Sequence, residues 1–158
     1  MLAGISAAAF LPRRSQGAES PAPRRIALLN LNTGERLEVE YVRDAGYVPE
    51  ALGSVARLLR DFRTGEQHAI DPKLLDYLVD VALSAGAPPE FSVIAGFRSR
   101  ESKNSLHAEG RAIDVRLPTV DCGELAACAL DLARGGVGYY RALDFVHFDT
   151  GRYRTWRG

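Results

Sequence analysis

Two of the three histidines in this 158-residue chain stand in short segments that also carry acids. One segment reads Ser105-Leu106-His107-Ala108-Glu109-Gly110-Arg111-Ala112-Ile113-Asp114. The other, Asp144-Phe145-Val146-His147-Phe148-Asp149, places its histidine 33 residues after Asp114. A catalytic zinc ion favours three protein ligands of imidazole and carboxylate type and keeps a fourth position for water. His107, Asp114 and His147 supply that set for one ion. Zinc so held brings the pKa of its water toward about 7 and polarises a carbonyl, and a carboxylate is then needed to relay the proton. His107 alone would read as an ordinary polar loop residue and Asp114 as a strand-end turn residue; their joint occurrence with His147 carries the metal reading. His68, between two expected helices, reads as a solvated loop residue.

Three local features must position these side chains. His107 falls in a loop, Gly110 lets the chain reverse, and Asp114 returns on a strand over residues 111–117. The third ligand comes from a neighbouring strand over 145–149, on which His147 and Asp149 share one face while Val146 and Phe148 share the other. Upstream, residues 25–31 and 36–42 flank Asn32-Thr33-Gly34-Glu35 as a β-hairpin. Apolar residues at helical spacing predict a helix over 49–62. Asp71-Pro72 opens a second helix that stops at Gly86, and a third runs over 121–134 before Gly135-Gly136. Residues 91–97 read as a strand leading into the His107 loop, and 137–140 pairs with 145–149 as a closing hairpin. Strands and helices intersperse without regular βαβ alternation, which predicts an α+β fold with an antiparallel sheet carrying the zinc site, flanked by helices.

The rest of the composition narrows the function classes. Twenty basic residues balance 20 acidic ones, so no broad electrostatic footprint exists for nucleic acid or an anionic membrane. The charged stretch Arg57, Arg60, Asp61 and Arg63 reads as a solvated helix face. Residues 2–11 are apolar and rich in small side chains, and residues 1–24 are expected to be a signal-like segment and linker preceding a single domain over 25–158. The charges that normally precede such an apolar run follow it here as Arg13 and Arg14, an order from which the true start is expected upstream, the plainer reading being a frayed apolar N-terminus. No other run approaches the roughly 18 apolar residues of a membrane span, so the mature chain is expected to have none. Cys122 and Cys128 lack metal-site spacing and read as small buried apolar residues; a disulfide between them requires Cys122 to precede the helix.

Four ordered motifs carry a resemblance: Gly96-Phe97-Arg98-Ser99, Ser105-x-His107-x-x-Gly110-x-Ala112-x-Asp114, Gly135-Gly136-Val137-Gly138-Tyr139-Tyr140, and Phe145-Val146-His147-x-Asp149-x-Gly151. Together they resemble the murein endopeptidase K family of zinc peptidases, which is related to D-alanyl-D-alanine carboxypeptidases and shares a metal-site fold with the hedgehog signalling domain. The resemblance runs from about Arg25 to Trp156. It implies His107, Asp114 and His147 as ligands of one Zn2+, peptidoglycan stem peptides or crosslinks as substrate, an exported periplasmic or wall-associated location, and a monomer. It also implies Asp144 as the general base, three residues before the last ligand where relatives carry glutamate; Asp149 is the alternative base, or a partner that orients His147. Arg98 matches the family arginine that steadies the developing oxyanion, its plainer reading being a structural partner of an acid. Ser105 is expected to hydrogen-bond substrate and Tyr139, Tyr140 and Trp156 to wall the cleft, with Tyr139 and Tyr140 reading equally well as sheet core and rim. Only residues 100–104 separate the arginine and histidine motifs, where the family usually has a longer insertion. A different class of function is a noncatalytic peptidoglycan-binding module that retains zinc as a structural staple.

Overall fold

The computed structural model describes residues 22–102 and 104–158, so the expected export signal lies outside the described residues. Eight strands and three helices follow in chain order: β1 (Arg24–Asn30), β2 (Arg36–Arg43), β3 (Gly46–Tyr47), α1 (Pro49–Leu58), α2 (Pro72–Ser84), β4 (Glu90–Ala95), β5 (Ala112–Arg116), α3 (Cys122–Asp131), β6 (Gly136–Tyr140), β7 (Phe145–Asp149) and β8 (Arg154–Arg157). A single 3-10 turn, Arg141–Leu143, joins β6 to β7.

The helix starts follow from capping chemistry. Asp71 accepts the Lys73 N–H at 3.0 Å with Pro72 in the first turn, and Asp121 accepts the N–H groups of Gly123 and Glu124. Helix α1 stops four residues short of the expected Phe62. Its last carbonyls are taken by the sheet side of the fold: Leu58 O accepts Asn30 Nδ2 at 2.8 Å, and Leu59 O accepts the Phe97 N–H at 2.8 Å. Beyond it Asp61, expected on a solvated face, is buried. Its carboxylate accepts the Arg63 N–H and both the N–H and the hydroxyl of Ser99, each at 3.0 Å, which pins the loop after α1 to the Gly96–Ser99 motif.

The strands form one sheet in the order β3-β2-β1-β4-β5-β7-β6-β8. The expected hairpins β1/β2 and β6/β7 are present, but the sheet is mixed where an antiparallel one was expected. Strand β4 runs parallel to β1, because the chain crosses over through α1 and α2 before returning. At the other edge, residues 150–153 carry the chain from the end of β7 past β6, and β8 lies parallel to β6. The edge strands β3 and β8 are short, and neither has the apolar alternation that marks a strand in sequence.

The central strands divide their faces cleanly. Ile113 and Val115 on β5, Val137 on β6, and Val146 and Phe148 on β7 join Leu74, Leu75 and Leu78 of α2 and Leu125 and Ala129 of α3 in one buried cluster. Tyr77 packs edge-on to Phe148 at 5.3 Å and donates its hydroxyl to Ala129 O at 3.1 Å, tying both helices to the sheet. The alternate residues of the same strands, Asp114, Gly138, His147 and Asp149, therefore face away from the helices.

Cys122 opens α3 and is buried, Cys128 is half-buried, and both thiols are free. Burial and then the nearby Asp144 carboxylate push the Cys122 thiol up to about 12. Alkylation by iodoacetamide at pH 8 should consequently spare Cys122 in folded protein and modify it fully only in denaturant, as peptide mass spectrometry can read. Replacing Phe148 by Ala should lower stability by about 3–5 kcal/mol in urea titrations, with the denaturant slope unchanged.

Candidate metal centre

Register brings the expected ligands together. On adjacent strands Asp114 pairs directly with His147, and His147 pairs with Gly138 on its other side. His107 reaches the same point from the loop between β4 and β5, where Gly110 takes the positive φ of +66° that the reversal requires. All three are buried, with His107 at 5%, Asp114 at 3% and His147 at 9% exposure.

The outward nitrogens of the two imidazoles determine what the inward ones can do. His107 Nδ1 lies 2.7 Å from the Gly96 carbonyl oxygen, and His147 Nε2 lies 3.1 Å from Asp149 Oδ2. Both partners only accept, so each of these nitrogens carries the proton. In the neutral rings, His107 Nε2 and His147 Nδ1 then present lone pairs to each other at 3.2 Å and to Asp114 Oδ1 at 3.4 Å and 2.8 Å. Three acceptor atoms converge on one point with no donor among them, an arrangement that fits a cation. Burial disfavours charge on Asp114, but the adjoining His107 and His147, when a proton takes the cation's place between them, outweigh it and hold the carboxyl below its usual range. Burial likewise opposes charge on His147, and the flanking Asp114 and Asp149 reverse that and raise its pKa.

Asp149 is wholly buried and has its lone pairs committed. It accepts from His147, from the N–H groups of Gly136 at 3.0 Å and Gly151 at 2.8 Å, and from Arg154 through two bonds of 2.9 and 2.7 Å. Its burial is outweighed by these donors, which keep it ionised below the ordinary carboxylate pKa. Of the two roles considered for Asp149, the geometry suits orientation of His147. Arg154 has no counterpart in the sequence reading; its signal is an arginine two residues before Trp156, on a strand too short to be seen in the pattern.

Asp144 does not join the cluster. It takes a left-handed φ of 53° after the 3-10 turn, its side chain is 67% exposed, and its Oδ2 pairs with Arg116 Nε at 3.3 Å. The spacing correctly places it three residues from His147, but an extended strand carries it about 10 Å along the chain. Arg98 does join: one Nη donates to Asp114 Oδ2 and the other to Glu101 Oε1 at 3.1 Å. Glu101 is a carboxylate that the sequence reading passed over, visible there only as an acid three residues after Arg98.

Arg98, His107, Asp114, Tyr140, Phe145, His147 and Trp156 line a cleft of about 240 Å3. Tyr140 stacks on Phe145 at 4.5 Å and accepts Trp156 Nε1–H at 3.0 Å, and the Trp156 ring lies 5.1 Å from His147. Both expected aromatic walls are thus at the cleft, whereas Tyr139 faces α3, with its hydroxyl near Gly123. Ser105 lines an adjoining space of about 500 Å3 that shares His107, His147 and Trp156 with the cleft. Arg98 is shared with a third space of about 400 Å3. Glycines make the room for these walls: a Cβ on Gly138 would stand 2.5 Å from the Trp156 ring, and one on Gly136 2.3 Å from Asp149 Oδ2.

With this geometry, the comparisons with known proteins have a definite meaning. Residues 18–156 match the family described as peptidoglycan L,D-endopeptidase MepK. The chain belongs to that family. It is 39% identical over 152 residues to a probable peptidoglycan L,D-endopeptidase MepK of Haemophilus influenzae, covering 88% of this chain and 82% of that protein. It is 34% identical over 169 residues to the peptidoglycan L,D-endopeptidase MepK of Escherichia coli K12, covering 98% of this chain and 93% of that protein. The family is one of metal-dependent peptidases, and the convergent acceptors of His107, Asp114 and His147 are the residues here that fit such a metal.

The chain has one tryptophan, so its fluorescence reports on the cleft. Gly138→Ala should displace the Trp156 indole from its place over β6 and shift the emission toward longer wavelength, while far-ultraviolet circular dichroism stays near wild type.

Proposed function

We propose that this chain is a zinc-dependent endopeptidase that hydrolyses peptide bonds in peptidoglycan crosslinks, with His107, Asp114 and His147 as the zinc ligands. The observation that carries the reading is the convergence of three buried acceptor atoms with their tautomers set from behind. Tetrahedral ligands at about 2.0–2.1 Å from zinc stand about 3.3–3.4 Å apart. The three atoms here are separated by 2.8, 3.2 and 3.4 Å, close to that requirement. Zinc held there supplies a Lewis acid that acidifies water and polarises the scissile carbonyl.

The chain's own groups divide the remaining work. The half-exposed Arg98 guanidinium stabilises negative charge on the carbonyl oxygen as the tetrahedral intermediate forms. Asp149 positions His147 and takes no proton, since Arg154 and two backbone N–H groups occupy it. Asp144, the expected base, faces Arg116. We assign the proton transfer to Glu101, which shares Arg98 with Asp114: it accepts the proton of the attacking water and returns it to the leaving amine as the C–N bond breaks. Ser105, Tyr140 and Trp156 contact the stem peptide.

Endo rather than exo cleavage is supported by the groove. The cleft shares Arg98 with one neighbouring space and His107, His147 and Trp156 with another, so there is room for a peptide to extend beyond the cleft past either set of residues. Residues 25–158 form the peptidase domain, with the metal-site fold of the hedgehog and D-alanyl-D-alanine peptidase group, behind an export segment in 1–24. The protein acts as a monomer in the periplasm or at the wall; among the described residues no helix is long and apolar enough to cross a membrane. The position of Asp144 favours, as a second reading, a wall-binding module with a structural zinc.

Purified protein should release peptide fragments from isolated sacculi, and both a chelator and His107→Ala should abolish release. Activity indifferent to both refutes the zinc mechanism, and binding to sacculi without any release moves the chain to the second reading. Two further variants separate the acids. Asp149→Asn should weaken zinc binding about 10–100-fold in competition titrations. Glu101→Gln should retain one zinc per chain yet lose about 10²-fold or more in kcat.

A further inference from the structure

Charge is unevenly spread along the groove. The space beyond His147 and Trp156, about 500 Å3, is lined by Arg111, Arg152 and Arg154 and by no carboxylate. The opposite arm mixes Arg63, Arg98 and Arg100 with Asp61 and Glu101. In a chain whose 20 basic residues balance 20 acidic ones, a carboxylate-free cluster of guanidiniums at one end of the groove is a local feature, not a consequence of overall charge.

Two of these arginines are already engaged. Arg111 donates to Glu109 at 3.0 Å and to Thr150 at 3.2 and 2.9 Å, and Arg154 is bound to Asp149. Arg152 is exposed, and among the described residues no carboxylate lies within ion-pair distance of it. Its backbone is nonetheless held. Gly151 N–H donates to Asp149 Oδ1 at 2.8 Å, and Arg154 Nη1 donates to the Arg152 carbonyl at 3.3 Å. The carboxylate that orients His147 therefore also anchors the loop that presents Arg152.

Resting on the peptidase reading above, we propose that this arm is a carboxylate-reading subsite. Arg152 pairs with a free carboxylate of the substrate peptide on one side of the scissile bond, and so decides which way round the crosslink lies. A guanidinium offers a planar fork that matches a carboxylate through two hydrogen bonds, and Arg152 has that fork free, whereas the neighbouring Arg111 and Arg154 are held by Glu109 and Asp149. Trp156, between the arm and the metal centre, gives the intervening aliphatic part of the peptide an apolar wall. The mixed charge of the opposite arm lacks this preference, which makes the groove directional.

Synthetic L,D-crosslinked stem-peptide dimers test the assignment when their carboxylates are free, amidated on one side of the scissile bond, or amidated on the other. Wild-type protein should lose about tenfold in kcat/KM, mainly through KM, on one of the two amidated peptides, and added salt should narrow the difference. Arg152→Gln should bring the acid-over-amide preference close to unity, and Arg152→Lys should keep part of it. Equal rates on all peptides, or a preference that survives in Arg152→Gln, overturns the subsite and leaves the peptidase assignment standing. Cleavage of none of them overturns both.

Discussion

The arrangement of this protein depends on where two imidazoles keep their protons. The Gly96 carbonyl takes the Nδ1–H of His107, and Asp149 takes the Nε2–H of His147. Those two bonds turn a lone pair of each ring toward Asp114 in a site from which water is largely excluded. Three acceptors buried together without a donor are costly unless a cation or a proton joins them. An ion held there would couple metal binding to folding, because groups that repel one another when empty would become ligands when filled.

Both anchoring acceptors are themselves products of the fold. Gly96 opens the arginine motif, whose Ser99 is tied to buried Asp61, so the position of the His107 ring traces back to the loop after α1. Asp149 draws donors from β6, from the loop after β7 and from β8, and so gathers three strands about one carboxylate. A buried ionised group with five donors is tolerable because they replace the water it has lost. The glycines of β6 serve the same end: Gly136 leaves space for the Asp149–Arg154 pair, and Gly138 leaves space for the Trp156 ring.

The sheet separates stability from chemistry. Its helix-covered face is a continuous apolar core, and its other face carries the candidate metal centre and the groove. Two-residue periodicity along β5 and β7 does this automatically, since every second residue changes face. Asp114 and His147 can therefore be polar while Ile113, Val146 and Phe148 between and beside them hold the core, and neither role compromises the other.

Local chemistry was legible wherever a short stretch of sequence carries its own cause. The amphipathic α1 with Pro49 in its first turn, the capped helices α2 and α3, the hairpin β1/β2, the alternation on β7, and the candidate trio His107, Asp114 and His147 with its loop glycine are all set by periodicity, caps and residue type acting over short stretches. What could not be seen is what depends on side chains or strands meeting across the chain. The crossover that makes β4 parallel to β1, the edge strand β8, the burial of Asp61 and the diversion of Asp144 to Arg116 all have partners dozens of residues away or outside any pattern. The sequence by itself determined which residue types are available to hold a cation and on which strand face they lie. Only the tertiary structure decided which acid orients the imidazole, which arginine is left free, and where the groove runs, because those follow from distances between segments that no local propensity specifies.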